Sequence, residues 1–373
     1  MNKTLKPFLN IGPGRIINRN LESLGWSQKD LAEVLGMAPN IVNELILHKR
    51  KITVDIARKL AKAFNSSPEF WMNLEVKYRL NSKINSAEEK KLKATEIKAL
   101  IRKHMPIADM AKKGWIEKSK SLESLIETYQ SFWNCKKLDF SFYENNSPSF
   151  LARKSNHDAS FTNNYSITWL QMAHKISGNL KGKNSKYNEQ NVRQLAMSIP
   201  EYTIKKNGVE TFIDDLSNFG INFFILSHLP KTYLDGAAFQ FNNKRYIVYT
   251  KRHDRVDNFW FTMAHELAHQ IEHINDNNDC FLDNLDEIAE NKKEKEADAK
   301  AAIWLKTDLI LKLAEPNKNY LTDQRLNIIS ENTGIEKSVV LGILQYNKMI
   351  DYRKLNHNKK KISDFLPKEY YKG

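Results

Sequence analysis

The sequence predicts a mostly helical α+β chain, in which an all-α N-terminal domain precedes a domain built around a small antiparallel sheet. Three observations predict it. The first 80 residues read as short amphipathic helices punctuated by Gly and Ser-Pro; the apolar period shortens to that of strands near Gly220; and a helix-period segment rich in buried-type residues follows those strands. The expected domains are residues 1–80, a helical linker region over 81–150, and 151–373 with a C-terminal helical extension.

Residues 15–24 form the first expected helix, ended near Gly25. Ser27-Gln28-Lys29-Asp30 offers a cap with a carboxylate three residues on, which opens a short helix to Leu35. Gly36 supplies a tight turn, and Pro39 starts a third helix over 39–47. Two short helices joined through a Gly-containing turn make a helix-turn-helix, whose second member enters the major groove of double-stranded DNA. Asn40 and Asn43 stand near the start of that helix, and Asn pairs bidentately with adenine. Lys49, Arg50 and Lys51 suit phosphate contacts, which position rather than specify. Gln28 and Pro39, each in the first turn of its helix, complete the candidate DNA-facing set. Helices over 53–64 and 68–80 close the domain, the latter with Ser67 before Pro68 at its start.

Charge supports this division. The chain carries a formal net charge of +14; residues 1–80 hold 13 Lys/Arg against 7 Asp/Glu and residues 81–120 hold 11 against 5, so the other 253 residues are near neutral. A basic N-terminal third suggests a polyanion-binding module. The N-terminus has no apolar leader core, and no run approaches a membrane span. Cys135 and Cys280 make neither a disulfide framework nor a Cys-x-x-Cys zinc knuckle, so a cytoplasmic protein is expected.

Helices are expected over 88–103, 108–113, 122–135 and 165–177, with a break at 145–149. Strands follow at 221–226, 237–241 and 245–250, the last two joined by a hairpin turn at Asn242-Asn243-Lys244. Next comes the segment Phe259 to His273, then a polar loop over 275–279 and an alanine-rich helix over 293–305.

The segment Phe259 to His273 contains His265-Glu266-Leu-Ala-His269. Two histidines at i and i+4 share one helical face, so both imidazoles can ligate one metal ion. Zn²⁺ held by two His and a carboxylate keeps a fourth position for water, and Glu266 sits beside that face as a candidate general base. The five-residue pattern arises often by chance. Phe259, Trp260, Met263, Leu267 and Ile271 add an apolar stripe that buries the helix and favours a site over an exposed surface. His273 at i+8 from His265 is over two turns away, too far to share the ion, and reads as surface or as a partner of a ligand. A third ligand is expected from the helix over 293–305. There Glu294 and Asp298 share a face, Glu294 as ligand and Asp298 as acceptor from a ligating imidazole, while alanines 297, 301 and 302 allow close approach. Glu296, pointing nearly the opposite way, is the rival ligand.

Leu234-Asp235-Gly236-Ala237-Ala238, the run from Arg252 to Trp260 leading into His265-Glu-Leu-Ala-His269, and Glu294-x-Glu-Ala-Asp298 resemble the ImmA/IrrE family of zinc metallopeptidases. Pro13-Gly14, Ser27-Gln28-x-x-Leu-Ala32, Lys49-Arg-Lys-Ile-Thr53 and Ser67-Pro-Glu-Phe-Trp71 resemble the helix-turn-helix of HigA/VapI-type antitoxins. Proteins fusing both modules also end in a segment like Gly334 to Gln345. The resemblance implies a thermolysin-like minimal zinc-peptidase fold in which a substrate strand adds to a sheet edge beside the zinc. Carried over residue by residue, it implies His265, His269 and Glu294 as Zn²⁺ ligands and Glu266 as catalytic base. It further implies cleavage of a DNA-binding repressor, and the expected protein is a regulator, homodimeric on a two-fold DNA site, that cleaves a repressor-like partner protein or itself. The alternative is a non-catalytic antitoxin that binds DNA and a toxin, with a structural zinc site. The chain departs from the family pattern at Lys300, where an aromatic is usual, and at Trp304-Leu305-Lys306, where a Pro is usual. In the helix-turn-helix, Ala38 replaces a capping Ser and His48 a Gly.

Overall fold

A computed structural model describes residues 10–82, 86–140, 159–180, 185–230, 232–275, 280–283, 292–316 and 321–372. Residue contacts divide the chain into two units, Met1–Ala94 and Thr95–Gly373. The expected break at 145–149 and most of the loop at 275–279 lie outside the described residues.

The first unit is all helix: α1 (Pro13–Leu24), α2 (Gln28–Leu35), α3 (Pro39–Ile46), α4 (Val54–Ala63) and α5 (Pro68–Asn81). Local chemistry sets the boundaries. Ser27 Oγ accepts from the Asp30 amide at 3.2 Å while the Asp30 carboxylate accepts from the Ser27 amide at 2.7 Å, a reciprocal box that satisfies two otherwise open donors. Gly36 closes α2 at φ 61°, a left-handed conformation that carries no Cβ penalty in glycine. Thr53 and Ser67 cap α4 and α5 through their hydroxyls. Leu31, Val42, Leu45, Leu60 and Trp71 form the buried centre, and Trp71 Nε1 donates to Ser66 Oγ at 2.8 Å.

The helix α6 (Ser86–His104) runs through the division between the units. The second unit continues with α7 (Ile107–Lys112), α8 (Leu122–Trp133), α9 (Ala159–Asn179), α10 (Glu189–Met197), α11 (Ile199–Ile204) and α12 (Gly208–Asn218). Strands β1 (Ile221–Ile225), β2 (Gly236–Phe241) and β3 (Lys244–Tyr249) follow, then α13 (Val256–Ala268) and a π-helical turn, His269–His273. Last come β4 (Cys280–Asp283), α14 (Lys292–Trp304), α15 (Thr307–Ala314), α16 (Asp323–Thr333) and α17 (Lys337–Tyr346).

The sheet order is β1-β3-β2-β4. The hairpin between β2 and β3 turns on two residues, Asn242 and Asn243, at φ 50° and 58°; Asn tolerates this region, and such turns match strand twist. The sheet corrects the expectation of a purely antiparallel one. β2 pairs antiparallel with β3 and β4, but β1 pairs parallel with β3, Ile221 facing Arg245 through Ile225 facing Tyr249. β1 is buried at every residue, the polar Asn222 included, as suits a strand of a parallel pair covered on both faces.

Both sheet faces are covered. Ile221, Phe223, Ile225 and Ile247 enter one core with Phe259, Met263 and Leu267 of α13. Phe224, Tyr246 and Val248 enter a second core with Ile101, Met110 and Tyr129. Residues 97–140 are therefore not a linker: their apolar side chains form the layer over the second face of the sheet. Ser27→Ala should cost about 0.5–2 kcal/mol of local stability, as loss of a helix cap does. Amide hydrogen exchange across α2 would read this as reduced protection; unchanged exchange would mean the box contributes nothing.

Candidate functional site

Helix α13 is buried all round, and its polar residues are buried with it. His265 and Glu266 lie near its end, and His269 opens the π turn; all three are at most 1% exposed. The π turn is fastened to the sheet. Arg245 of β3 donates to the carbonyls of Gln270 and Ile274, the latter at 2.8 Å, and its guanidinium lies 3.9 Å from the Tyr187 ring centroid. Gln270 Nε2 donates to the Tyr246 carbonyl at 2.7 Å. Helix α14 approaches through Ala297 and Ala301, both fully buried, so that no bulky side chain separates it from α13.

This packing brings three donors together. His265 Nε2 lies 2.9 Å from His269 Nε2, and Glu294 Oε2 lies 3.2 Å from the first and 3.4 Å from the second. Donors at about 2.0–2.1 Å around a tetrahedral Zn²⁺ are separated by roughly 3.3 Å, so the set fits such an ion. Among the described residues this is the one group of three or more His, Cys, Asp or Glu side chains able to hold a metal.

Protonation suits the same task. Burial pushes the His269 pKa down to about 4, so its imidazole is neutral at neutral pH. Burial pushes Glu294 upward, but its contacts with His265 and His269 outweigh it and hold the carboxyl at about 2, so it is anionic. Asp298 Oδ1 accepts from His265 Nδ1 at 2.9 Å, which leaves the Nε2 lone pair directed at the other two donors. Glu266 is fully buried, and a Cβ at Gly236 would lie 2.5 Å from its Oε1, so β2 passes directly against this carboxylate.

Glu296 does not join the three donors. Its Oε2 lies 3.1 Å from His273 Nε2, and His273 Nδ1 lies 2.9 Å from His269 Nδ1. His273, read from spacing as surface or as a partner of a ligand, is 5% exposed. Its distance from His265 hid its contact with His269, which is only four residues away.

In the first unit, Gln28, Pro39, Asn40, Asn43, Lys49, Arg50 and Lys51 are all exposed. Asn40 and Asn43 occupy the outer side of α3, whose Val42, Leu45 and Ile46 are buried. Arg50 Nε donates to Glu44 Oε2 at 2.7 Å, so a phosphate there would share its guanidinium. Ala38 precedes α3 with no side-chain cap. His48 takes φ 57°, and its ring packs 4.1 Å from that of Tyr78.

Residues 17–71 match a helix-turn-helix family model, and residues 216–340 match a peptidase-family model described as IrrE N-terminal-like domain. The chain belongs to the helix-turn-helix family and carries an ImmA/IrrE-type domain behind it. It is 41% identical over 70 residues to virulence-associated protein A′ of Dichelobacter nodosus, a match covering 18% of this chain and 61% of that protein. It is 35% identical over 63 residues to the HTH-type transcriptional regulator YddM of Escherichia coli, covering 17% of this chain and 67% of the relative. Antitoxin HigA-1 of Vibrio cholerae is 42% identical over 55 residues, covering 15% of this chain and 51% of that antitoxin. The chain thus spans about three fifths of the length of the curated relatives it matches. The ImmA/IrrE-type domain contains the three converging donors, and the helix-turn-helix contains the exposed Asn and Lys set.

His265→Ala, His269→Ala and Glu294→Ala should each abolish uptake of added Zn²⁺, measured by equilibrium dialysis. Retention of stoichiometric Zn²⁺ by all three would show that the donors do not act together.

Proposed function

We propose that this protein is a cytoplasmic, DNA-binding regulator whose ImmA/IrrE-type domain is a zinc-dependent endopeptidase, acting on a repressor-like partner protein or on itself. The observation that carries the reading is the meeting of His265, His269 and Glu294 in a buried place beside a fully buried Glu266. Zn²⁺ held by these three residues would supply Lewis acidity toward a water and the scissile carbonyl. Glu266 takes the proton of the attacking water and returns it to the leaving amine. Asp298 holds the His265 ring in the tautomer that exposes Nε2. Neutral His269 and anionic Glu294 meet the ion without first losing protons.

The decisive variant is Glu266→Gln. It should keep Zn²⁺ and abolish cleavage of a validated partner, because the ligands stay while the base is gone. Wild-type cleavage rates from that variant would end the mechanism. The second reading, an antitoxin that binds DNA and a toxin, draws on the similarity to HigA-1. It predicts instead that Glu266→Gln changes nothing in regulation.

The sheet adds a condition on substrate entry. β2 passes Glu266 at Gly236, and the outer edge of β2 is taken by β4, with Asp283 opposite Gly236. A substrate strand can pair with this part of β2 only in place of β4. Replacing both Phe281 and Leu282 by Pro removes at least one ladder N–H, whichever way β4 faces. Cleavage of the partner should then accelerate; an unchanged rate would mean substrate does not use this edge.

On the DNA side, Asn43→Ala should weaken a preferred duplex by roughly 1–3 kcal/mol and barely affect random duplex, as loss of a base contact does. Lys49→Ala should weaken both alike and flatten the salt slope. A gel-shift titration at two salt concentrations measures this. Equal losses for both variants on both duplexes would remove α3 as the reading helix.

A further inference from the structure

We propose that His273 and Glu296 form a positioning relay for His269, which fixes the tautomer that this imidazole needs as a metal ligand. The proposal rests on the zinc reading given above and adds two residues to it. Its basis is the placement of protons along four groups in a line: Glu296 Oε2, His273, His269 and the converging donors.

Two imidazole nitrogens face each other at 2.9 Å, Nδ1 of His269 and Nδ1 of His273. At that distance one must be N–H and the other a lone pair. Suppose His273 were the donor. A neutral His269 would then carry its own proton on Nε2, and no lone pair would face His265 and Glu294. Suppose instead that His269 donates. Its Nε2 is then a lone pair directed at the ion, and His273 accepts on Nδ1. A neutral His273 must then carry its proton on Nε2, where Glu296 Oε2 accepts it at 3.1 Å. Of the two, only the second leaves His269 a lone pair on Nε2 for a metal while giving the His273 Nε2 proton an acceptor.

The two ligating histidines thus have different supports. His265 donates directly to a carboxylate, Asp298, whereas His269 reaches a carboxylate through a second imidazole. The relay is buried at its inner end and open at its outer end. His273 is 5% exposed, while the Glu296 side chain is 49% exposed and also lies 3.7 Å from Lys292 Nζ. The inner member should therefore matter more than the outer one, whose charge is screened by water. The π turn that carries both histidines is clamped by Arg245, which fixes the backbone of the relay.

The test combines Zn²⁺ affinity, measured by competition with a chromophoric chelator, with nitrogen-15 histidine NMR on the full chain. His273→Phe fills the volume without an acceptor and should weaken Zn²⁺ binding about 10–100-fold, as loss of such a partner does. His273→Gln keeps one acceptor and one donor and should restore most of the affinity. Glu296→Ala should cause a smaller loss than His273→Phe. In zinc-loaded wild type, the spectra should show His269 protonated on Nδ1 and His273 protonated on Nε2. A His273→Phe chain that binds Zn²⁺ like wild type, or a His273 found protonated on Nδ1 in the loaded wild type, overturns the relay. If His273→Phe does not fold, the wild-type spectrum alone decides. A wild-type chain that takes up no Zn²⁺ overturns the metal reading and the relay together; normal uptake with either contrary result overturns the relay alone.

Discussion

The close approach of α14 to α13, made through the small side chains of Ala297 and Ala301, decides where the polar atoms of the second unit meet. Two histidines on one helix define a line of lone pairs but not a site. The site needs an acid from elsewhere, and a carboxylate reaches Nε2 of both rings only if the helices nearly touch. Ala297 lies one turn beyond Glu294 and Ala301 one turn beyond that, so the same face that permits contact also delivers the acid. Burying His265, Glu266 and His269 at this contact is costly unless the groups are bonded or hold a cation. The convergence of three ligand-type donors answers that cost.

Much of this was legible because it is local. Helix caps at Ser27 and Ser67, the Asn242-Asn243 hairpin and the shared face of Glu294 and Asp298 each depend on residues within a few positions of one another. What escaped was non-local. β1 reads as a strand, but nothing in Ile221-Asn-Phe-Phe-Ile225 says that its neighbour would be β3 and parallel. β4 spans only Cys280–Asp283, too short for a period to show. The apolar residues between Ile101 and Phe132 read as a helical spacer, because their partners on the sheet lie more than 90 positions away. His273 stands more than two turns from His265, but its contact is with His269 through the π turn.

The two faces of the sheet divide labour. One face carries α13 and the metal-type donors; the other is sealed by α7–α9 and never meets the site. A sheet covered on both sides is rigid, and β2 brings that rigidity to Glu266 at Gly236. Beside β2, the edge of the sheet is formed by β4. The first unit needs none of this: its exposed Asn and Lys residues are carried by a separate core around Trp71.

The central claim is that His265, His269 and Glu294 together hold one Zn²⁺. X-ray absorption at the zinc edge of the purified, zinc-loaded chain tests it most directly. The account predicts a first shell of nitrogen and oxygen only, at about 2.0–2.1 Å, with outer-shell scattering from two imidazoles. A sulfur shell at about 2.3 Å, or an oxygen shell with no imidazole scattering, would contradict it.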